Sequence, residues 1–478
     1  MLFNSIEFLL FLPIVFILYW FVFRGRKWQN LLIVIASYVF YGWWNWHFLL
    51  LIVFTSFCSY LSGLLIEFYD GRRRAQKCVS ALNIVLNLCV LGVFKYYNFF
   101  IESLESLLSL MGFHLDIVTI SVILPVGISF YTFQALSYTI DIYKKKLTAT
   151  HDIVEFFAFI SFFPQLVAGP IERATNLLPQ FHHNRYFDYS QAVDGCRQIL
   201  WGFFKKLVVA DNCALIVNKY WDNYSDYSGP SLLFLGILFT FQIYGDFSGY
   251  SDIAIGTARL FGIKLMRNFK YPYFARNISE FWRNWHISLM TWFRDYIYIP
   301  IGGSHCARWK VIRNTMIVFF ISGLWHGANW TFICWGLYHA CLISFMIILG
   351  VNTKTTSIVA QGKIIPSIKE LAQIVTTFAF VVIGWVIFRA ESLTQAYGFL
   401  TRMFSTMFDS GKSIYATDVL LYCIVMLLIE WLQRGKQHAL VIDSIKTKSL
   451  RWGIYLILVL AIYAFMPDTI STFIYFQF

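Results

Sequence analysis

Apolar runs close to the ~20 residues that a helix needs to cross a hydrocarbon core recur along this chain from end to end. They occupy residues 5–23, 31–66 with one break, 78–94, 231–244, 314–350, 371–388, 418–431 and 452–466. Only 13% of the 478 residues are charged and 58% are hydrophobic, whereas a soluble domain carries about 25% charged residues. That leaves too little charge to cover a water-facing surface. The expectation is an all-α, polytopic transmembrane helical bundle of roughly ten to twelve spans, some of them short. The first run has no basic segment before it and no small-residue cleavage site after it, so it reads as a permanent span rather than a secretory signal. No low-complexity tract or long polar linker divides the sequence, and residues 1–478 therefore read as a single integral-membrane domain.

A formal net charge of +12 would suit a nucleic-acid binder. Here, however, the basic residues sit in short clusters at the ends of apolar runs, which is how a membrane protein sets its orientation. The clusters are Arg24, Arg26 and Lys27; Arg72, Arg73, Arg74 and Lys77; Lys144, Lys145 and Lys146; and Lys205 with Lys206. The positive-inside rule places all four on the cytoplasmic side and the N-terminus outside. Arg308, Lys310, Arg313, Lys436 and the stretch 446–451 mark later cytoplasmic loops. The nine cysteines show neither a C-x-x-C pair nor the spacing of a disulfide framework, so they read as packing residues and no metal is expected.

Three weakly apolar stretches, 141–195, 262–312 and 351–370, are candidates for loops, re-entrant pieces and interfacial helices. In the second, Asn277 can cap a helix with Glu280 three residues on, and no Gly or Pro interrupts residues 278–298. The spacing predicts one helix there. It would carry an aromatic stripe of Trp282, Trp285, Leu289 and Trp292 beside a partly polar one of Arg283, His286, Met290 and Arg294, as suits a membrane interface.

Among ten histidines, those in apolar surroundings demand a reason, because an ionisable group at membrane depth is a functional candidate by default. His326 is the only histidine or charged side chain in the apolar stretch 319–335. Gly323 and Gly327 flank it with a G-x-x-x-G spacing that admits another helix backbone, for catalysis or for packing alone. Burial would keep the imidazole neutral and able to accept a proton, as a general base must. Asn329, almost one turn on, could orient it or stabilise an oxyanion. His286 is the second candidate, 40 residues earlier in sequence, so only tertiary folding could join the two. His305 and His339 have weaker cases, and the remaining histidines read as solvated. Asp246 and Asp252, six positions apart on different helix faces, could bind a cation in a transporter, hold a channel open, or pair with nearby basic side chains.

The strings Trp282-Arg283-Asn284-Trp285-His286-Ile287-Ser288-Leu289, Trp292-Phe293-Arg294-Asp295-Tyr296 and Gly323-Leu324-Trp325-His326-Gly327-Ala328-Asn329 resemble the membrane-bound O-acyltransferase family. Supporting stretches are Ser37 to Gly42, Leu124 to Tyr131, Ala168 to Ile171, Asp246 to Asp252 and Gly384 to Ala390, so the resemblance covers nearly the whole chain. It is greatest to the bacterial branch of alginate and peptidoglycan O-acetyltransferase membrane subunits. The resemblance implies a ring of membrane helices around a central tunnel, with the family's essential histidine at His326 and a second polar tunnel residue at His286. It implies an O-acetyltransferase that binds no cofactor permanently and takes acetyl from a cytoplasmic donor, acetyl-CoA. Arg283 and Arg294 become candidates for the donor's phosphates, with Trp285, Trp325, Asn329, Asp246 and Asp252 lining the substrate path.

The resemblance further implies a bacterial cytoplasmic (inner) membrane location in contact with lipid. It implies a polysaccharide acceptor outside, reached through a periplasmic or surface acetyltransferase partner, and no nucleic acid. The aromatic tail Phe473 to Phe478 resembles tails in which a tyrosine is proposed to carry the acyl group, which makes Tyr475 a candidate relay; an interfacial anchor is the alternative. Two readings from other classes remain open. An ion- or proton-coupled secondary transporter would predict inverted repeats, which are not evident in the sequence, and a non-enzymatic scaffold for polysaccharide export would leave His326 replaceable.

Overall fold

Every regular element among the described residues is helical. The computed structural model describes all residues except 114–118, 120–123, 168, 352–356, 410, 469, 470 and 475–478. Among them, six helices are long and apolar enough to cross a bilayer: His47–Phe68, Arg73–Leu110, Gly229–Leu260, Trp330–Ile348, Ile368–Arg389 and Lys448–Phe465. That makes a multi-pass membrane protein. Other apolar runs form shorter helices, as the expectation of some short spans allowed. The first run passes from Ile6–Ile17 into a π-helical turn at Leu18–Val22, and the run at 418–431 yields a helix of 16 residues. Large apolar side chains point outward from Lys448–Phe465, among them Leu456, Ile457 and Leu460, giving a surface suited to lipid.

Contacts divide the chain into two compact units. The first comprises residues 1–193 and 257–266. Its helices are α1 (Ile6–Ile17), α2 (Arg26–Gly42), α3 (His47–Phe68), α4 (Arg73–Leu91), α5 (Tyr97–Leu110), α6 (Ile128–Tyr143), α7 (Ile153–Ser161), α8 (Phe163–Leu166) and α9 (Ala174–His182). Helix α6 is buried along nearly its whole length and packs on α3 and α4. Thr139 is matched there: the Asn83 amide donates to it at 2.8 Å, and the Ser62 and Thr139 hydroxyls lie 3.1 Å apart. Such pairing is what makes polar side chains tolerable between membrane helices.

The second unit comprises residues 194–256 and 267–478. Most of α10 (Tyr189–Phe203) falls in it, as does most of α12 (Gly229–Leu260), and α11 (Asp211–Tyr220) lies between them in sequence. There follow α13 (Ile278–Asn284), α14 (Ile287–Phe293), α15 (Arg308–His326), α16 (Trp330–Ile348), α17 (Ile368–Arg389), α18 (Leu393–Ser405), α19 (Thr417–Leu432) and α20 (Lys448–Phe465). α15 and α16 form a tight hairpin. A Cβ on Gly323 would run into the backbone of Phe332 and Ile333, and one on Gly336 into that of Phe319. Small residues at these crossings let the two backbones touch.

Candidate active site

His326 is the last residue of α15 and is 4% exposed. Its imidazole is walled by aromatic rings: Trp325 and Trp335 each at 4.9 Å between centroids, and Phe388 at 5.4 Å. Trp335 belongs to α16 and Phe388 to α17, so the hairpin and its neighbour together fix the ring. Beyond His326 the chain leaves the helix, with Gly327 extended at φ −175° and ψ 161°. Asn329 is therefore not a turn further along the same helix, as the sequence suggested. Instead it caps α16: its side-chain oxygen accepts from the Thr331 N–H at 3.0 Å, and its amide donates to the Glu391 carbonyl at 2.8 Å.

His286 corrects a second expectation. Residues 278–298 are not one helix, because Trp285 is extended and His286 takes a left-handed backbone at φ 45° and ψ 53°, which separates α13 from α14. The Asn277 cap does form, accepting the Glu280 N–H at 2.8 Å. The break is held by Asn268, whose carbonyl accepts the Ile287 N–H at 2.9 Å and whose side chain accepts the Ser288 hydroxyl at 2.9 Å. A non-glycine residue at positive φ costs energy, and such strain clusters where a side chain must be aimed. The ring thus aimed is 1% exposed, edge-on to Phe247 at 4.6 Å and 5.7 Å from Trp325. It lies outside the long apolar helices, and burial pushes its pKa down to about 3, so it is neutral at pH 7. Trp325 touches both His286 and His326, and folding has brought two distant histidines to one indole.

The aromatic stripe is core rather than interface: Trp282, Trp285, Leu289 and Trp292 are all buried. Trp285 packs on Phe269 at 5.0 Å and on Trp385 at 4.8 Å. His339, one turn beyond Trp335 on α16, is boxed by Trp282 at 5.0 Å and Trp335 at 5.5 Å.

Asp246 and Asp252 both lie on α12 and meet different lysines, which is the pairing alternative among the three left open by the sequence. Asp246 binds Lys206 at 2.7 Å and Asp252 binds Lys205 at 2.5 Å. A π-helical turn, Phe204–Ala210, carries the adjacent lysines, and both are buried. They are held in ion networks rather than at a lipid headgroup surface, contrary to their reading as a topology-setting cluster. Glu430 joins Lys205 at 4.0 Å and accepts the Tyr244 hydroxyl at 2.8 Å. Sequence reasoning passed over Glu430, although a carboxylate inside the apolar run 418–431 carries the same signal that singled out His326. Of the remaining histidines, His438 is buried and bonds Asp194 at 2.9 Å, whereas His182 is exposed, as expected, and bonds the buried Glu155 at 3.2 Å.

Of the two arginines expected at the donor site, Arg283 lines a cavity. This space of about 310 Å³ is lined by Lys270, Arg283 and Arg434, with Tyr271, Glu280 and Asn284 among its other walls. Arg294 is more than half exposed and paired with its neighbour Asp295 at 2.7 Å. Tyr475 lies outside the described residues.

A many-helix membrane body with two buried imidazoles gathered at one tryptophan has the makings of a membrane-embedded catalyst. The sequence model of the membrane-bound O-acyltransferase family matches residues 38–388, and the chain belongs to that family. It is similar to the probable alginate O-acetylase AlgI of Pseudomonas aeruginosa, with 42% identity over 413 residues, 86% of this chain and 75% of the relative. The peptidoglycan O-acetyltransferase of Helicobacter pylori is 32% identical across 100% of this chain and 98% of its own length. The teichoic acid D-alanyltransferase of Bacillus subtilis is 30% identical over 55% of this chain and 68% of its own length. The chain is an acyltransferase, and acyl transfer to a polysaccharide is the activity that its relatives share.

Proposed function

We propose that this protein moves acetyl groups from cytoplasmic acetyl-CoA across a bacterial inner membrane for O-acetylation of an extracytoplasmic polysaccharide, with residues 1–478 serving as one acyltransferase domain. The observation that carries this reading is the pair His286 and His326, both packed on Trp325. In the proposed reaction a neutral His326 takes the proton of the acceptor hydroxyl as its oxygen attacks the thioester carbonyl. The tetrahedral intermediate then expels the CoA thiolate, which recovers that proton from the imidazolium. A positioned base of this kind contributes about 10²- to 10⁴-fold in rate, and alignment of the two reactants supplies much of the rest. Neutral His286 serves as a hydrogen-bonding group rather than a charge.

The cavity at Arg283 suits the donor's phosphates, since Lys270, Arg283 and Arg434 bring three cations to one rim. The acceptor glycan is reached through a separate acetyltransferase outside the membrane, and Tyr475 is the candidate relay on the way. A reconstituted vesicle tests the whole scheme. With radiolabelled acetyl-CoA on one face only, we expect label on a polysaccharide or partner confined to the other face. Label transferred only to acceptors on the donor's own face would refute transmembrane transfer.

A further inference from the structure

A buried charge cluster in the second unit has more negative than positive members. Lys206, Asp211 and Asp246 have side chains no more than 4% exposed, and the Lys206 ammonium sits 2.8 Å from Asp211 and 2.7 Å from Asp246. One ammonium balances one carboxylate. The second is a surplus buried charge, costly unless further donors reach it.

Those donors come from the far end of the chain. The Ser471 hydroxyl donates to Asp211, and the Ile474 backbone N–H donates to Asp246 Oδ2 at 2.7 Å. Lys206 in turn donates to the Ser471 carbonyl at 3.1 Å. Between these anchors Phe473 packs on Tyr250 at 4.4 Å and Phe247 at 6.0 Å, and Phe473 and Ile474 are almost wholly buried. Each charged group of the cluster thus bonds the segment, partly through backbone atoms that any sequence would supply, while the aromatic slot selects the side chain. Phe247 is also the ring edge-on to His286 at 4.6 Å.

We propose that Lys206, Asp211 and Asp246 form a seat for the segment Ser471–Ile474, acting as positioning residues that hold this stretch of chain against the aromatic wall of His286. What the seat is for rests on the acyl-transfer reading above; that the segment is seated does not. Because the surplus carboxylate needs the segment's donors, seat and segment order each other. A tail variant should therefore undo the arrangement without touching the core.

Hydrogen exchange of the purified full chain, read on peptides covering residues 471–474, tests the seat. We expect protection in the unaltered protein and at least tenfold faster exchange in Asp246→Ala and Lys206→Met. Ile474→Pro, which deletes the donor and leaves the cluster intact, should lose cell-glycan O-acetate while the protein accumulates normally. The Ser471→Ala variant should speed exchange with a smaller loss of acetate. An unprotected segment in the unaltered protein, or protection unchanged in Asp246→Ala, would overturn the seat. Normal O-acetate in Ile474→Pro would overturn its positioning role. His326→Ala separates this from the general reading: it should keep the segment protected while abolishing acetate, and if acetate persists there, the acyl-transfer assignment fails while the seat stands.

Discussion

Adding one methyl group at Gly323 tests whether hairpin packing holds His326 in place. The Cβ of Gly323→Ala would come within 3.0 Å of the Phe332 carbonyl, a backbone atom that cannot swing aside, whereas ordinary contact begins at 3.4 Å. α15 and α16 must therefore part by at least 0.4 Å at a point three residues before His326. Overpacking of this kind costs about 1–3 kcal/mol. Misplacing a reacting group by 1 Å costs about 10²-fold, so a shift of this size predicts a rate loss of roughly tenfold or more. The control is Gly453→Ala on α20, where nothing lies within 4 Å of the new Cβ and helix propensity predicts a gain of up to about 1 kcal/mol. The assay is the initial rate of glycan acetate accumulation after induction, normalised to protein abundance. A full wild-type rate in Gly323→Ala at normal abundance would refute the claim that this crossing positions the imidazole.

Other substitutions probe the charged groups. Arg283→Ala should raise the KM for acetyl-CoA about tenfold with kcat little changed, as expected for loss of a charge-assisted contact to the donor. Arg294→Ala should leave both constants unchanged, because its exposed pair with Asp295 contributes little. In the first unit, burial raises the Glu172 carboxyl from 4.5 to about 7, against opposing hydrogen bonds from the Met266 N–H and Asn176. A pKa raised on folding means stability is full below pH 4.5 and falls as pH climbs toward 7, by about 3 kcal/mol in all. Melting of purified protein at pH 4.5 and pH 8 should show that decline, and Glu172→Gln should flatten it. His286, neutral at any pH well above 3, should contribute no inflection to the pH–rate profile between pH 5 and 8.

The membrane class and the burial of His326 were legible because burial makes polar groups expensive: an apolar stretch tolerates an imidazole only for a reason. The Asn277 cap was legible because capping is local. The break at His286 was not, since residues 278–298 contain neither Gly nor Pro and the signal resides in Asn268, a long-range partner that stabilises the strained turn. Lys205 and Lys206 misled for a related reason. A basic pair after an apolar run reads as a loop marker, and only the π-helical turn, which points both side chains inward, reveals their carboxylate partners. Asn329 likewise looked like a neighbour of His326 until the helix ended one residue before Gly327.

The most direct test of acyl transfer through His326 is the O-acetate content of cell glycan in a strain carrying His326→Ala at normal abundance, set beside the unaltered strain and a deletion. Acetate at the deletion level is the predicted result. Acetate at the unaltered level would contradict the assignment of His326 as the base.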